Sequence, residues 1–159
     1  MTNDLALALA MAGGYAAVAL AAIGSATGCG IAGQAAVAAW KRCYAQNKPA
    51  PFLLVALAGT PLSQTIYGMI LMMLIKGGIA KAVADSCSSL AIFYLVMGVV
   101  AGFGFMFSSI YQGKAAAAGC DAFGETNKGF TNYLTIAGIV ETVALFVLVF
   151  GIIVINVRL

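Results

Sequence analysis

Apolar residues fall into four blocks, Leu5–Trp40, Phe52–Ile75, Ser86–Gly113 and Gly129–Val157, each with few or no charges. Each is longer than the roughly 20 residues that cross a ~30 Å hydrocarbon core. The pattern predicts an all-α membrane protein of four transmembrane helices arranged as two fused helical hairpins. The first hairpin is expected over residues 1–80 and the second over 81–159. The first block would extend about 54 Å at 1.5 Å per residue, so it must tilt or project beyond the bilayer. The breaks carry ordinary turn chemistry. Lys41-Arg42 and Asn47-Lys48-Pro49-Ala50-Pro51 close the first block, because proline cannot continue an incoming helix. Gly77-Gly78 with Lys76, Lys81 and Asp85 separates the hairpins, and Lys114 with the stretch Asp121 to Lys128, including Gly124, marks the third break.

Composition agrees with this pattern. The chain is 63% hydrophobic and 8% charged, with a mean hydropathy of +1.03. Eight Lys and Arg and five Asp and Glu are too few to cover a soluble core of this size. The net charge of +3 is small and dispersed, which argues against nucleic acid as a partner. With no histidine there is no imidazole base or imidazole metal ligand. Cys29, Cys43, Cys87 and Cys120 stand singly, without ligand spacing, and read as small apolar residues. Met1-Thr2-Asn3-Asp4 lacks the basic start of a secretory signal, so the first block is expected to remain as a membrane helix. The first and third connections hold Lys41, Arg42, Lys48, Lys114 and Lys128; the second connection and the termini hold Lys76, Lys81 and Arg158. The positive-inside tendency then places loops 41–51 and 114–128 in the cytoplasm and both termini outside, in a multi-pass protein of the cell membrane.

The two halves look like a duplication. The run from Gly24-Ser25 to Ala36 is similar to Ser108-Ser109 to Gly119, and Gly59 to Thr65 can be laid on Ile136 to Thr142. Gln64 then takes the position of Glu141. Gly24 and Gly28, and Gly98 and Gly102, follow the four-residue spacing that lets helix backbones approach in lipid. That spacing suits general helix packing, and it equally suits many copies packed side by side in an inner ring, with the second and fourth helices as a wall toward lipid.

Glu141 is the single charge in the last block, about midway along it. A charge at that depth costs roughly 2.5–3.5 kcal/mol on insertion scales, which makes an intramembrane acid a candidate functional group. Thr60, Ser63, Gln64 and Tyr67, at i, i+3, i+4 and i+7, place four oxygen-bearing residues on one face of the second helix. Pro61 removes an N–H there, which frees or tilts backbone carbonyls near Leu57 and Thr60. A second hairpin turning near Thr126 and Asn127 sets Gln112 level with Glu141, and a first hairpin turning near Gln46 sets Gly28 opposite Gln64, leaving room there. A cation site is therefore expected from Glu141, Gln112, Gln64, Ser63 and the backbone carbonyl of Thr60, with Tyr67 donating to the carboxylate. Hard oxygens bearing one negative charge suit a monovalent hard cation, Na⁺ ahead of H⁺, since a proton alone needs fewer ligands. The plainer alternative is polar glue between helices, worth about 0.6 kcal/mol per hydrogen bond on average.

The segments Gly28 to Ala36, Pro61 to Gly68, Tyr111 to Gly119 and Gly138 to Thr142 resemble the proteolipid, or rotor-ring subunit, of V-type ATPases. The likeness spans nearly the whole chain and is greatest to the bacterial subunit K type, in which two hairpins are fused and the fourth helix alone keeps its acid. The resemblance implies a ring of identical subunits turning against a stator membrane subunit with an arginine, and a central-stalk partner at the cytoplasmic loops. It maps the family's carboxylate onto Glu141, its sodium ligands onto the Thr60 carbonyl, Ser63, Gln64 and Gln112, and the acid's tyrosine partner onto Tyr67. Ser63 replaces a threonine of some sodium-using members, and Thr60 replaces a common leucine. No Gly-x-x-x-x-Gly-Lys-Ser/Thr loop is present, so the chain is expected to be non-catalytic within an ATP-hydrolysing complex. Two rivals from other classes are a small multidrug antiporter, which needs an aromatic cage, and a structural channel or fusion-pore protein.

Overall fold

A computed structural model describes residues 3–84 and 88–157, with side chains from 4 to 79 and from 89 to 157. Met1, Thr2, Asp85, Ser86, Cys87, Arg158 and Leu159, and the side chain of Lys81, lie outside the described residues. All described regular structure is helical: α1 (Asn3–Ala45), α2 (Leu54–Gly59), a 3-10 turn (Thr60–Leu62), α3 (Ser63–Ala84), α4 (Ser88–Thr126) and α5 (Phe130–Asn156). α2, the turn and α3 form one continuous span. Four helices are thus long and apolar enough to cross a membrane, and the protein is a multi-pass membrane protein.

The helices outrun the apolar blocks. α1 continues through Lys41 and Arg42 to Ala45, and α4 passes Lys114 and Gly124 to end at Thr126. The expected break over 114–128 therefore shrinks to a short turn in which Asn127 (φ 51°) and Gly129 (φ 79°) take left-handed conformations. Charges do not end helices, and Ala115 to Ala118 is a strong helix-forming run. At 43 residues α1 is about 65 Å long, so its end stands clear of a ~30 Å core. Gly77-Gly78 does not break α3 either. A Cβ on Gly78 would fall 2.1 Å from the Tyr94 hydroxyl, so the glycine makes room for that ring.

The bundle is organised by a parallel pair. Gly13 lies against Tyr94 and Gly98, Gly24 against Met106, Gly28 against Ser109 and Gly113, and Ala39 against Gly124. Both residue numbers rise together, so α1 and α4 run side by side in the same direction, as the two copies of a repeat would. The approach is as close as backbones allow: a Cβ on Gly98 would stand 1.9 Å from the Gly13 carbonyl oxygen, and one on Gly28 2.4 Å from that of Ser109. The glycine stripes read from the sequence thus serve contact within one chain. The room expected beside Gly28 is filled by the α4 backbone.

α3 packs on α1, where Gly68 meets Ala17 and Val18, and α5 packs on α4, where Gly104 meets Val147 and Gly119 meets Tyr133. A core of alanines with Leu71, Ile75, Tyr94, Phe105 and Leu148 joins all four spans. A second cluster, Ala36, Ala39, Leu54, Leu57, Cys120 and Phe123, closes the other end. There Arg42 pairs with Asp121 across α1 and α4, and the Trp40 indole N–H donates to the Pro51 carbonyl at 2.9 Å. Cys29, Cys43 and Cys120 are free thiols.

Gly98→Ala forces a methyl into the Gly13 backbone and is expected to lower thermal stability in detergent by about 1–3 kcal/mol, the usual cost of overpacking. Gly77→Ala has open space and gains helix propensity, so its melting temperature should stay level or rise. Equal melting of the two variants would show that the α1–α4 approach is looser than described.

Candidate functional site

Pro61 shapes the site before any side chain does. Lacking an N–H, it interrupts the helical ladder, and the chain tightens into the 3-10 turn Thr60–Leu62. The Leu57 carbonyl is not left free, contrary to expectation. It accepts the Thr60 N–H and also the Thr60 hydroxyl, at 2.9 Å. The Thr60 carbonyl instead faces the Ser63 hydroxyl at 3.3 Å.

That hydroxyl also lies 3.2 Å from Gln64 Oε1. Ser63 has one proton to give, so it satisfies one of these two oxygens at a time. The Thr60 carbonyl and Gln64 Oε1 therefore both lie within reach of the Ser63 hydroxyl.

Helix α4 carries the link to the acid. Gln64 and Gln112 are fully buried. Gln64 Nε2 donates to Gln112 Oε1 at 2.7 Å, and Gln112 Nε2 donates to Glu141 Oε2 at 3.0 Å. Tyr67, one turn beyond Ser63, donates its hydroxyl to the other carboxylate oxygen, Oε1, at 2.5 Å. Glu141 is itself part-buried. All six residues read from the sequence, Thr60, Ser63, Gln64, Tyr67, Gln112 and Glu141, are thus brought together. Three spans of one chain contribute.

Two serines were missed. Ser108 donates to the Val140 carbonyl at 3.1 Å, one residue before the acid, and its oxygen lies 3.5 Å from Gln64 Nε2. Ser109 donates to the Pro61 carbonyl at 2.8 Å and neighbours Ser25 at 3.4 Å. A signal was available in the repeat register. Ser108 stands where the first half has Gly24, one helical turn from Gln112, which stands where it has Gly28. Two polar replacements one turn apart mark a single face.

Fold and site together define a four-span membrane protein with one carboxylate held in place by amide and phenol donors. Residues 95–154 match the family model for the C subunit of ATP synthase. The matched stretch contains Gln112 and Glu141, whereas Thr60, Ser63, Gln64 and Tyr67 lie outside it. No curated protein matches the chain.

Gln112→Leu removes a donor from Glu141 and an acceptor from Gln64, both within the bundle. It is expected to cost about 1–3 kcal/mol in thermal unfolding in detergent. Thr135→Val, which loses only a local bond to the Thr131 carbonyl on an exposed face, should change stability by less than about 0.5 kcal/mol. Comparable losses in both variants would mean that the amide chain does not hold the spans together.

Proposed function

We propose that the protein is the rotor-ring subunit of a V-type ATPase of the subunit K type, carrying a monovalent cation, Na⁺, on Glu141. The observation that carries this reading is that Ser63 Oγ sits between the Thr60 carbonyl and Gln64 Oε1, while the Glu141 carboxylate is tied to the same group through Gln112 and Gln64. A small hard cation accepts several such oxygen ligands at once. Glu141, Gln112, Gln64, Ser63 and the Thr60 carbonyl would hold the ion, and Tyr67 would orient the acid. The family match over residues 95–154 supports the rotor-ring part of the reading. The parallel placement of the two halves also supports it, because repeating the step that relates α1 to α4 extends a row of hairpins through further copies.

In this reading the loaded site faces lipid or a neighbouring copy with its charge neutralised. A stator arginine would compete for the carboxylate and release the ion, and rotation driven by a soluble ATPase sector would carry the site between access paths. The chain then transports without catalysing hydrolysis. The helix ends and turns within 41–51 and 114–128 would meet a central stalk in the cytoplasm, with both termini outside the cell membrane.

One observation favours H⁺ as the cargo of the same ring. The Tyr67 phenol oxygen lies 2.5 Å from Oε1 and can turn to accept from a protonated Glu141 while Gln112 Nε2 still donates to Oε2, so a proton needs no further ligands.

Carbodiimide reacts with a protonated membrane carboxyl. Millimolar Na⁺ at neutral pH is expected to slow labelling of Glu141 in the purified protein. Labelling that is insensitive to Na⁺ and falls only as pH rises would replace sodium by the proton.

A further inference from the structure

An amide has two nearly isosteric ends, and turning Gln64 over would exchange its oxygen and nitrogen. The sodium reading, on which the role of Ser108 rests, requires the oxygen to face Ser63 and the Thr60 carbonyl. Gln112 supplies one restraint, since its Oε1 accepts from Gln64 Nε2. That restraint depends on Glu141, because the carboxylate fixes which end of Gln112 points where. A protonated Glu141 becomes a donor and matches either end of the Gln112 amide. The restraint then weakens when the acid changes state.

We propose that Ser108 is a positioning residue that holds the Gln64 amide with its oxygen toward the cation, whatever the state of the acid. Ser108 is 6% exposed, and its one proton goes to the Val140 carbonyl. Toward Gln64 it therefore offers only lone pairs, and it receives the second proton of Nε2 along a longer 3.5 Å approach. A reversed Gln64 would set oxygen against the lone pairs of Ser108 while Nε2 displaced the cation. Because the Val140 carbonyl belongs to the turn of α5 that bears Glu141, the serine also sets its restraint at the depth of the acid. Its partners are neutral, so protonation of the carboxylate leaves the restraint intact. Ser108 touches neither the carboxylate nor the oxygens of the cation cluster, and it acts through Gln64.

The test measures the Na⁺ concentration that half-protects Glu141 from carbodiimide, and the pH profile of labelling without Na⁺, in the purified assembled protein. Ser108→Ala is expected to raise the half-protecting concentration about three- to tenfold, the range of one lost hydrogen bond, with the Na⁺-free pH profile unchanged. Ser108→Thr keeps the hydroxyl and should restore the wild-type value. Ser108→Cys keeps the volume with weaker hydrogen bonding; it should give an intermediate value and replaces the alanine variant if that fails to assemble. A serine that only packs helices would lower the melting temperature and leave the half-protecting concentration where it was, which overturns the proposal. A shift of the pH profile along with Na⁺ protection also overturns it, because the serine would then act on the acid. Wild-type protein unprotected by Na⁺ removes the sodium reading itself, a different failure from an Ala variant that matches a protected wild type.

Discussion

A carboxylate in the middle of an apolar helix must find donors, and lipid offers none. Most of the unusual features of this chain arise from meeting that need. Gln112 and Tyr67 each give Glu141 a proton-bearing group, from α4 and α3 respectively. Gln112 is then committed by its nitrogen and needs a donor for its oxygen, which Gln64 supplies. Gln64 is committed in turn, so its own oxygen looks toward the Ser63 hydroxyl, which also reaches the Thr60 carbonyl. The orientation of each group is fixed by the one before it. The chain of bonds ends at the Ser63 hydroxyl, which lies between the Gln64 amide oxygen and the Thr60 carbonyl.

The two halves resemble each other in sequence, yet a single chain of such bonds is found among the described residues. In the first half, the positions of Ser108 and Gln112 are Gly24 and Gly28, which bring α1 against the backbone of α4 at Met106 and Ser109. Close backbone contact and a polar face are alternatives at these positions, because a side chain there would push the helices apart. The first half uses them for contact and the second half for polar side chains. Gln64, in place of a second acid, is turned into a partner for the site of the other half.

Much of this was legible in the sequence, for reasons that differ by feature. Four long apolar blocks sufficed for the spans, since the bilayer thickness sets a length that few soluble helices combine with so little charge. The i, i+3, i+4, i+7 spacing of Thr60, Ser63, Gln64 and Tyr67 fixed their common face, and hairpin symmetry set Gln112 beside Glu141. Helix ends were less legible. Lys114 and Gly77-Gly78 look like boundaries, but α4 and α3 continue through them because neither a charge nor a glycine outweighs continuous packing on a neighbour. The fate of the Leu57 carbonyl was also hidden, because its capture by Thr60 depends on a local tightening that Pro61 permits without dictating its partner. Ser108 was overlooked because serine in a membrane helix commonly bonds its own backbone, whereas here it reaches across to α5.

The central claim is that three spans of one chain complete a single cation site around Glu141. Equilibrium binding of radioactive Na⁺ to the purified protein in detergent at neutral pH tests it most directly. The account predicts saturation at one ion per chain, abolished by Glu141→Gln. Absence of saturable Na⁺ binding, or binding that survives Glu141→Gln, would contradict it.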